Sequence, residues 1–311
     1  MRIRQGIAIK FIVACGIATF VLLFLAGEAM RRYSESMQTK KRMVAPSVGV
    51  PRLPEPRLTD PAYRLDAARV SADMAAIDAV LEQSSGDPLA FGTFVSDAFE
   101  QAGLQVLRTW QTLNRDGTDP GAREVIGIVK GTSPQMVVLG ARGRMGAALL
   151  LDIARAVGPA REGRTLWLWF FAEPGGADAA DFKGHIDSMA DVLTRTNQMK
   201  RVEAAILAPR LGNGPVASLP GDMPSHWLSD ALRAKAVALG YEAEWTSAGG
   251  LSEDCAALTA AGVPSVVLAC GDENGAACPR SLQAAGDVIY HSLSDLDVYL
   301  GKREPERRLS P

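Results

Sequence analysis

Apolar residues recur along most of the chain in two alternating patterns. Short runs rich in β-branched and aromatic residues, bounded by turn residues, predict strands, whereas apolar residues spaced three and four positions apart predict helices. The predicted strands are REVIGIVKG (123–131), QMVVLGAR (135–142), TLWLWFFAE (165–173), AAILAP (204–209) and PSVVLAC (264–270). Helices are predicted at 70–83, 88–103, 146–158, 182–196, 225–240 and 252–262, and a last helix is predicted to open at 294.

The alternation of strands and helices predicts one α/β domain over residues 63–303, with a polar tail at 304–311. The run TLWLWFFAE has no polar alternation, so we expect that strand to be buried on both faces. The predicted fold is a three-layer α/β/α sandwich with a mostly parallel central sheet.

The first 62 residues follow a different pattern. Residues 7–27 are apolar except for Lys10, and about 20 apolar residues suffice to cross a bilayer as a helix. We therefore expect a retained transmembrane anchor within 1–30, because the run exceeds the ordinary core of a signal peptide; a peptide cleaved near GEA (27–29) is the alternative. Five prolines then predict an extended tether over residues 31–62.

Composition narrows the choice of partners. The 311 residues carry a formal net charge of −2, which provides no electrostatic footprint for nucleic acid. The chain also has no Gly-rich phosphate loop, no Ser-His-Asp order and no CxxC pair. We expect a membrane and protein partners, and no nucleic acid.

The order of several segments resembles that of a known enzyme family. VVLGAR, ALLLDIARAV, RTLWLWFFAEPGG, LSEDCAALTAAGVPSVVL and GDVIYHSLSDLDVYL follow one another as they do in the zinc-dependent aminopeptidases and glutaminyl cyclases. The resemblance covers about residues 65–300, and its specificity rests on the ordered set. It implies the zinc-exopeptidase fold and a metal site where the strands end.

Carried over residue by residue, the resemblance implies a degenerate metal site. Arg142 stands where the family has its first histidine ligand and Arg144 where it has an aspartate, while the loop with the bridging aspartate is missing. The aspartate expected after AAILAP falls on Ala208 or Pro209. The remaining candidates for relic catalytic or metal-binding residues are Glu173, Glu253, Asp254 and His291.

Catalytic zinc needs about three protein ligands, and the permanent charge of an arginine opposes a cation at the same position. We therefore expect no cofactor, and we expect Arg142 or Arg144 to pair with Glu173, Glu253 or Asp254. Each candidate has an ordinary alternative. In that alternative His291 is a core histidine. Glu253 and Asp254 are then acids in the first turn of a helix, where they interact favourably with the helix dipole.

Three functional hypotheses follow from these residues. The first is a membrane-anchored, catalytically inactive aminopeptidase-like domain that serves as an interaction or scaffold subunit of a membrane complex. The second is an active zinc aminopeptidase or cyclase that uses Glu173, Asp254 and His291. The third is a module that binds an anionic ligand through Arg142 and Arg144.

The side of the membrane is inferred from two opposed features. Five basic residues follow the apolar run between 31 and 42, against three before it, and this favours a cytoplasmic domain. Relatives of the fold are commonly exported, and Cys270 and Cys278 flank a short loop that a disulfide could close; two free buried thiols are the alternative. We expect a single-pass protein with an extracytoplasmic domain.

Overall fold

A computed structural model describes residues 60, 62–110, 123–172, 182–222, 225–244, 254–272 and 279–308. The predicted anchor and most of the tether lie outside these residues. Seven helices are described there, namely α1 (Ala67–Gln83), α2 (Pro88–Gln101), α3 (Gly143–Val157), α4 (Phe182–Arg195), α5 (His226–Ala238), α6 (Ala256–Ala260) and α7 (Pro279–Arg308). None of the described helices has the length and apolar character needed to cross a membrane.

Seven strands form a single sheet in the described part of the chain. They are β1 (Gln105–Trp110), β2 (Arg123–Arg142), β3 (Ala160–Ala172), β4 (Val202–Leu211), β5 (Asn213–Pro220), β6 (Ala243–Glu244) and β7 (Ser265–Asp272). Their order is β1-β2-β4-β7-β5-β6, and β3 pairs with β2. The β2–β4, β4–β7 and β5–β6 pairs are parallel, whereas β1–β2 and β5–β7 are antiparallel, so the sheet is mixed around a parallel centre.

The long strand β2 folds back on itself around β3. Arg123 lies opposite Ala172 and Val129 opposite Leu166, a register that runs antiparallel. In the second half the direction reverses, because Met136 lies opposite Thr165 and Arg142 opposite Phe171. β3 therefore lies between the two halves, antiparallel to the first and parallel to the second. β2, β3, β4 and β7 end along one side of the sheet, which we call the carboxyl edge.

Side chains of the strands alternate between two apolar cores. Val137, Leu139 and Ala141 pack with α1, α2, α3, α5 and α7 on one face, which we call the α7 face. Met136 and Val138 pack with α4 and α6 on the other, the α4 face. Trp169, Phe170 and Phe171 of β3 are fully buried, as the unbroken apolar run predicts. The layered α/β architecture with helices on both faces is confirmed.

The last helix differs from the sequence prediction. It begins at Pro279, well before the expected opening at 294, and it contains the whole GDVIYHSLSDLDVYL segment. Alanine, leucine and β-branched residues at helical spacing, including Leu282, Ala285 and Ile289, are buried on the α7 face. The predicted start at 294 placed His291 ahead of this helix, whereas the structure places it within the helix. This difference changes the interpretation of the site.

Candidate functional site

Arg142 is the last residue of β2 and lies at the carboxyl edge, where the sequence predicted it. The next residue, Gly143, has a φ of 63°, which allows the chain to turn directly from strand into α3. Ala141 pairs with Ala208 of β4, so the ends of β2 and β4 lie side by side. The two positions at which the resemblance implies metal ligands are thus adjacent, and they carry an arginine and an apolar Ala-Pro pair.

The Arg142 side chain is largely buried, with 7% of the residue exposed. Its Nε donates a hydrogen bond to the carbonyl oxygen of Pro209 at 2.9 Å. Its guanidinium carbon lies 5.2 Å from the centre of the Phe182 ring, within range of a cation–π contact. Phe182 in turn packs edge-on against Phe171, with ring centroids 5.9 Å apart. An arginine, a backbone carbonyl and aromatic rings therefore occupy this corner of the carboxyl edge.

Arg144 does not share this environment and forms an ion pair with a residue that the sequence did not predict. Its Nη1 lies 2.8 Å from Oδ1 and 3.0 Å from Oδ2 of Asp78 on α1. Both side chains are 41% exposed. Arg144 belongs to the first turn of α3, and α3 packs against α1 on the α7 face. A surface ion pair with α1 therefore replaces the predicted pairing with a relic acid of the pocket.

Asp254 is the described member of the predicted acidic pair, whereas Glu173 and Glu253 lie outside the described residues. Asp254 precedes Cys255 and α6, which pack on the α4 face, the same face as Arg142. Burial raises the pKa of the Cys255 thiol to about 12, and the nearby Asp254 carboxylate adds to the shift. Cys255 is thus a buried thiol of the core, and burial disfavours its thiolate form.

His291 lies far from the carboxyl edge, which corrects its assignment as a relic metal ligand. The helix that carries it starts at Pro279, and twelve residues at a rise of 1.5 Å place His291 about 18 Å along the axis. Six residues further, Asp297 accepts a hydrogen bond from the backbone of Arg164, at the beginning of β3. α7 therefore runs from the carboxyl edge toward the opposite edge. His291 also lies on the α7 face, whereas Arg142 and Asp254 belong to the α4 face.

The DVIYH motif instead holds the segment that enters the domain, residues 60 and 62–66, which we call the strap. Tyr290 accepts a hydrogen bond at its hydroxyl from the backbone N–H of Asp60, at 2.9 Å. Nε2 of His291 lies 2.9 Å from the carbonyl oxygen of Tyr63, and Asp287 accepts from the backbone N–H of Leu65 at 2.6 Å. The Tyr63 and Tyr290 rings pack with centroids 4.4 Å apart. These contacts give the motif a structural role.

Two buried carboxylates fix the strap. Asp287 also accepts from the Tyr241 hydroxyl at 2.5 Å, and Asp152 of α3 accepts a hydrogen bond from the Tyr63 hydroxyl. Burial raises the pKa of the Asp152 carboxyl, while the Tyr63 hydrogen bond and the Arg69 charge oppose that shift. The sequence analysis missed both acids. Their signal was available, since each carboxylate is flanked directly by apolar or glycine residues, Leu151 and Ile153 for one and Gly286 and Val288 for the other.

A second buried polar group lies opposite the candidate site, at the start of β3. Arg164 pairs with Glu203, and Arg161 Nη2 lies 2.5 Å from Oδ2 of Asp297. Gly163 sits between the arginines with a φ of 89°, and a Cβ there would lie 2.2 Å from the Asp297 carboxylate. Arg161 is buried, with 3% of the residue exposed. This ion-pair network lies at the edge of the sheet that carries no candidate chemistry.

Cys270 is a free, buried thiol, as in the second of the two alternatives left open by the sequence. Its Sγ lies 3.7 Å from the carbonyl oxygen of Ser281, and burial raises its pKa to about 12. Cys278 lies outside the described residues. A pairing between Cys270 and Cys278 therefore stays a prediction of the sequence.

The donor set does not fit a zinc ion within the described residues. No cluster of three His, Cys, Asp or Glu side chains there is arranged to hold a metal. Of the relic candidates that are described, Asp254 directly precedes Cys255, which packs on the α4 face, whereas His291 belongs to α7, which packs on the other face. The arrangement near Arg142 can bind negative charge or fill space, because its fixed groups are a guanidinium and aromatic rings.

Comparison with known proteins identifies the fold. No protein-family model matches the chain, and no curated protein matches it in sequence. A glutaminyl cyclase from an Acidobacteriales bacterium superimposes with a TM-score of 0.59 at 16% identity, over 79% of this chain and 99% of that one. The Porphyromonas gingivalis glutaminyl cyclase gives 0.58 at 16% identity, over 75% and 99%. A Zn-dependent exopeptidase from Parabacteroides distasonis gives 0.56 at 18% identity, over 74% and 98%.

Proposed function

We propose that this chain, which shares its fold with glutaminyl cyclases and Zn-dependent exopeptidases, is a catalytically inactive, membrane-anchored member of that group. In this proposal the domain is an interaction or scaffold subunit of a membrane complex. The observation that carries the proposal is Arg142, which lies buried at the end of β2 and donates to the carbonyl oxygen of Pro209.

The charge of Arg142 is the physical reason. A guanidinium remains protonated throughout the physiological pH range, so it repels a divalent cation. A neutral replacement would leave a site weakened but open, whereas this arginine introduces a positive charge. Ala208 and Pro209 beside it supply no side-chain donor, so the ends of β2 and β4 together lack the ligands that catalytic zinc needs.

The anchoring part of the proposal rests on the sequence. Residues 7–27 have the length and apolar character of a transmembrane helix, and a proline-rich tether separates them from the domain. A domain that has lost its metal ligands while keeping the fold retains surfaces that partners can bind. The extracytoplasmic location and the absence of a cofactor belong to the same proposal.

The active-enzyme alternative has less support. A zinc site built from Glu173, Asp254 and His291 would have to join residues from both faces of the sheet. His291 is engaged with the backbone of Tyr63 and lies 3.0 Å from Nη1 of Arg64, an environment that opposes a metal ion.

The ligand-binding alternative is reduced to one arginine. A buried guanidinium at the carboxyl edge, backed by the Phe182 ring, suits a carboxylate or phosphate. Arg144 could bind the same ligand only if its ion pair with Asp78 were broken. An anionic ligand is therefore the second candidate, and it would depend on Arg142 alone of the two arginines.

The test uses the full chain purified in mild detergent. We expect zinc well below one ion per chain by elemental analysis, and no turnover of aminoacyl or glutaminyl reporter peptides. We also expect Arg142→His combined with Arg144→Asp to remain metal-free, because the second ligand strand still ends in Ala208 and Pro209. One tightly held zinc per wild-type chain, lost in His291→Ala, would overturn the proposal in favour of the active enzyme.

The membrane and scaffold parts need a separate measurement. We expect the chain to stay with vesicles after an alkaline carbonate wash and to be cross-linked to other proteins at one reproducible size. Release by the wash, or a wild-type chain that is monomeric after cross-linking, would contradict these parts without affecting the metal result.

A further inference from the structure

A groove lies between α5 and the second half of α7, on the α7 face. It is lined by Trp227, Ala231, Ser292, Asp295, Leu296, Val298 and Tyr299. Its volume is about 340 Å³, at the lower end of the range of about 300–1,000 Å³ that is typical of small-molecule sites. The Arg142 site lies on the opposite face, so this groove is independent of the proposed function.

The lining is mostly apolar and has an aromatic wall. The rings of Trp227 and Tyr299 stack with centroids 4.5 Å apart and planes 18° apart. Val298 and Tyr299 are 60% and 40% exposed, whereas most large apolar side chains of the described residues are buried. A flat aromatic surface beside exposed aliphatic groups favours contact with an apolar ligand.

A hydroxyl group on the groove wall has no hydrogen-bond partner among the described residues. The hydroxyl oxygen of Ser292 is buried and forms no hydrogen bond within the described part of the chain. The residue is 2% exposed, although it lines the groove. Because a buried hydroxyl without a hydrogen bond is costly, its presence on the groove wall indicates a site that a ligand's polar atom completes.

The charged groups at the rim select against an ionic ligand. Lys235 Nζ lies 2.7 Å from Oδ2 of Asp295, so the two charges at the mouth neutralise each other. A charged ligand would gain no opposite charge here and would lose its hydration on entry. The lining therefore favours a neutral molecule.

We propose that the groove between α5 and α7 binds a small, neutral, largely apolar molecule with one hydroxyl or carbonyl group, which hydrogen-bonds to Ser292 while its apolar part packs on Trp227, Leu296 and Val298. The ligand class follows from the volume, the aromatic wall, the neutral rim and the buried Ser292 hydroxyl, which has no hydrogen bond among the described residues.

The experiment uses the full chain in phosphatidylcholine nanodiscs and two ¹⁹F-observed probes. The probes are 4-fluorobenzyl alcohol and 4-fluorotoluene, which differ in the hydroxyl group. We expect the alcohol line to broaden in proportion to protein, beyond the broadening caused by empty nanodiscs. Ser292→Ala should reduce the preference for the alcohol about fivefold, the effect of one hydrogen bond.

Two exposed valines provide a matched pair of variants. Val298 lines the groove, whereas Val237 is 64% exposed on α5 outside it. Val298→Asp should weaken binding of both probes about tenfold or more, and Val237→Asp should leave it unchanged. Near-ultraviolet circular dichroism verifies that each variant is folded.

Three results would overturn this proposal. They are broadening no greater than that of empty nanodiscs, equal losses in the two aspartate variants, and an unchanged preference in Ser292→Ala. The last result would mean that an ordered water or another protein group completes the Ser292 hydroxyl. Zinc content plays no part in this test, so its outcome is separate from that of the proposed function.

Discussion

Arg142 and Arg144 are two positions apart in the chain, yet they lie in different environments. β2 ends at Arg142, so its side chain follows the alternation of the strand onto the α4 face. Arg144 already belongs to the helix and is directed toward α1. The sequence predicted where both residues stand along the chain, but the change from a period of 2 to a period of 3.6 at Gly143 separates their side chains.

This difference predicts unequal effects on stability. Arg142→Ala removes a buried donor from the Pro209 carbonyl and should lower the free energy of unfolding by about 1–3 kcal/mol. Arg144→Ala breaks an exposed pair and should cost about 0–1 kcal/mol. Chemical denaturation of the two variants measures both values. Equal losses would mean that Arg142 contributes no more than a surface residue.

Asp152 predicts a specific pH dependence. Its pKa is raised in the folded protein, so the folded state holds the proton more tightly than the unfolded chain does. The free energy of unfolding should therefore fall as pH rises from the ordinary aspartate range through the raised pKa, and level off above it. Asp152→Asn keeps an oxygen that can accept from Tyr63 but has no proton to lose in this range. Subtracting the pH profile of this variant from that of the wild type should therefore leave the Asp152 contribution alone. A difference that is flat from pH 3 to 7 would contradict the assignment.

At the scale of elements, α7 has the greatest effect on the interpretation of the site. Its HSLSD segment resembles the histidine and aspartate of a metal-binding loop, but apolar residues at helical spacing start at Leu282 and continue through His291. The histidine is thereby fixed on a helix, where it contacts the strap. A short motif can resemble a ligand loop while the periodicity around it specifies a helix.

The role of His291 in holding the strap can be tested directly. His291→Ala removes a side-chain contact with the Tyr63 carbonyl, so it should lower the free energy of unfolding by about 0.5–1.5 kcal/mol. His291→Gln can donate to the same carbonyl and should recover part of the loss. Hydrogen exchange of the Leu65 amide should speed up in the alanine variant. Unchanged exchange together with unchanged stability would remove His291 from the strap contacts.

The sequence predicted the central elements better than the edges. β3, β4 and β7 carry continuous apolar runs and were found near their predicted positions, because burial on both faces leaves a strong signal. β1 and β5 were missed, since their sequences QVLRTW and NGPVASLP alternate or contain proline and glycine. For the candidate site, the position of Arg142 was predictable from the strand end. The faces of Arg144 and His291 depended on where helices begin, which local pattern specifies poorly.

At the scale of the whole molecule, one group of ion pairs lies at the edge of the sheet opposite the candidate site. Arg161, Arg164, Glu203 and Asp297 connect β3, β4 and α7 there. These pairs lie where β3 and β4 begin, so they join the two cores at the edge that carries no candidate chemistry. We expect this network to add to the stability that the apolar interior provides.

Removing one member of the network should be costly. Asp297→Ala leaves Arg161, which is 3% exposed, with a buried charge and no carboxylate from Asp297. Because an uncompensated buried charge costs about 3–5 kcal/mol, the variant should unfold at a clearly lower denaturant concentration. Asp187→Ala on α4, which breaks the half-exposed pair with Lys183, is the control and should cost about 0–1 kcal/mol. Similar midpoints for both variants would exclude a stabilising network.

The way in which β2 surrounds β3 has a consequence for synthesis of the chain. When the ribosome has made residues up to 142, the two halves of β2 cannot reach their final separation, because the strand that belongs between them is still to come. The same holds for β4 and β5, which are joined through Gly212 and flank β7, made some fifty residues later. Until β3 and β7 are made, the edges of the flanking strands lack their hydrogen-bond partners. Both late strands, TLWLWFF and SVVLAC, are among the most apolar in the chain. A chain released before residue 265 would present unpaired edges to its neighbours, and association of such fragments would compete with completion of the sheet.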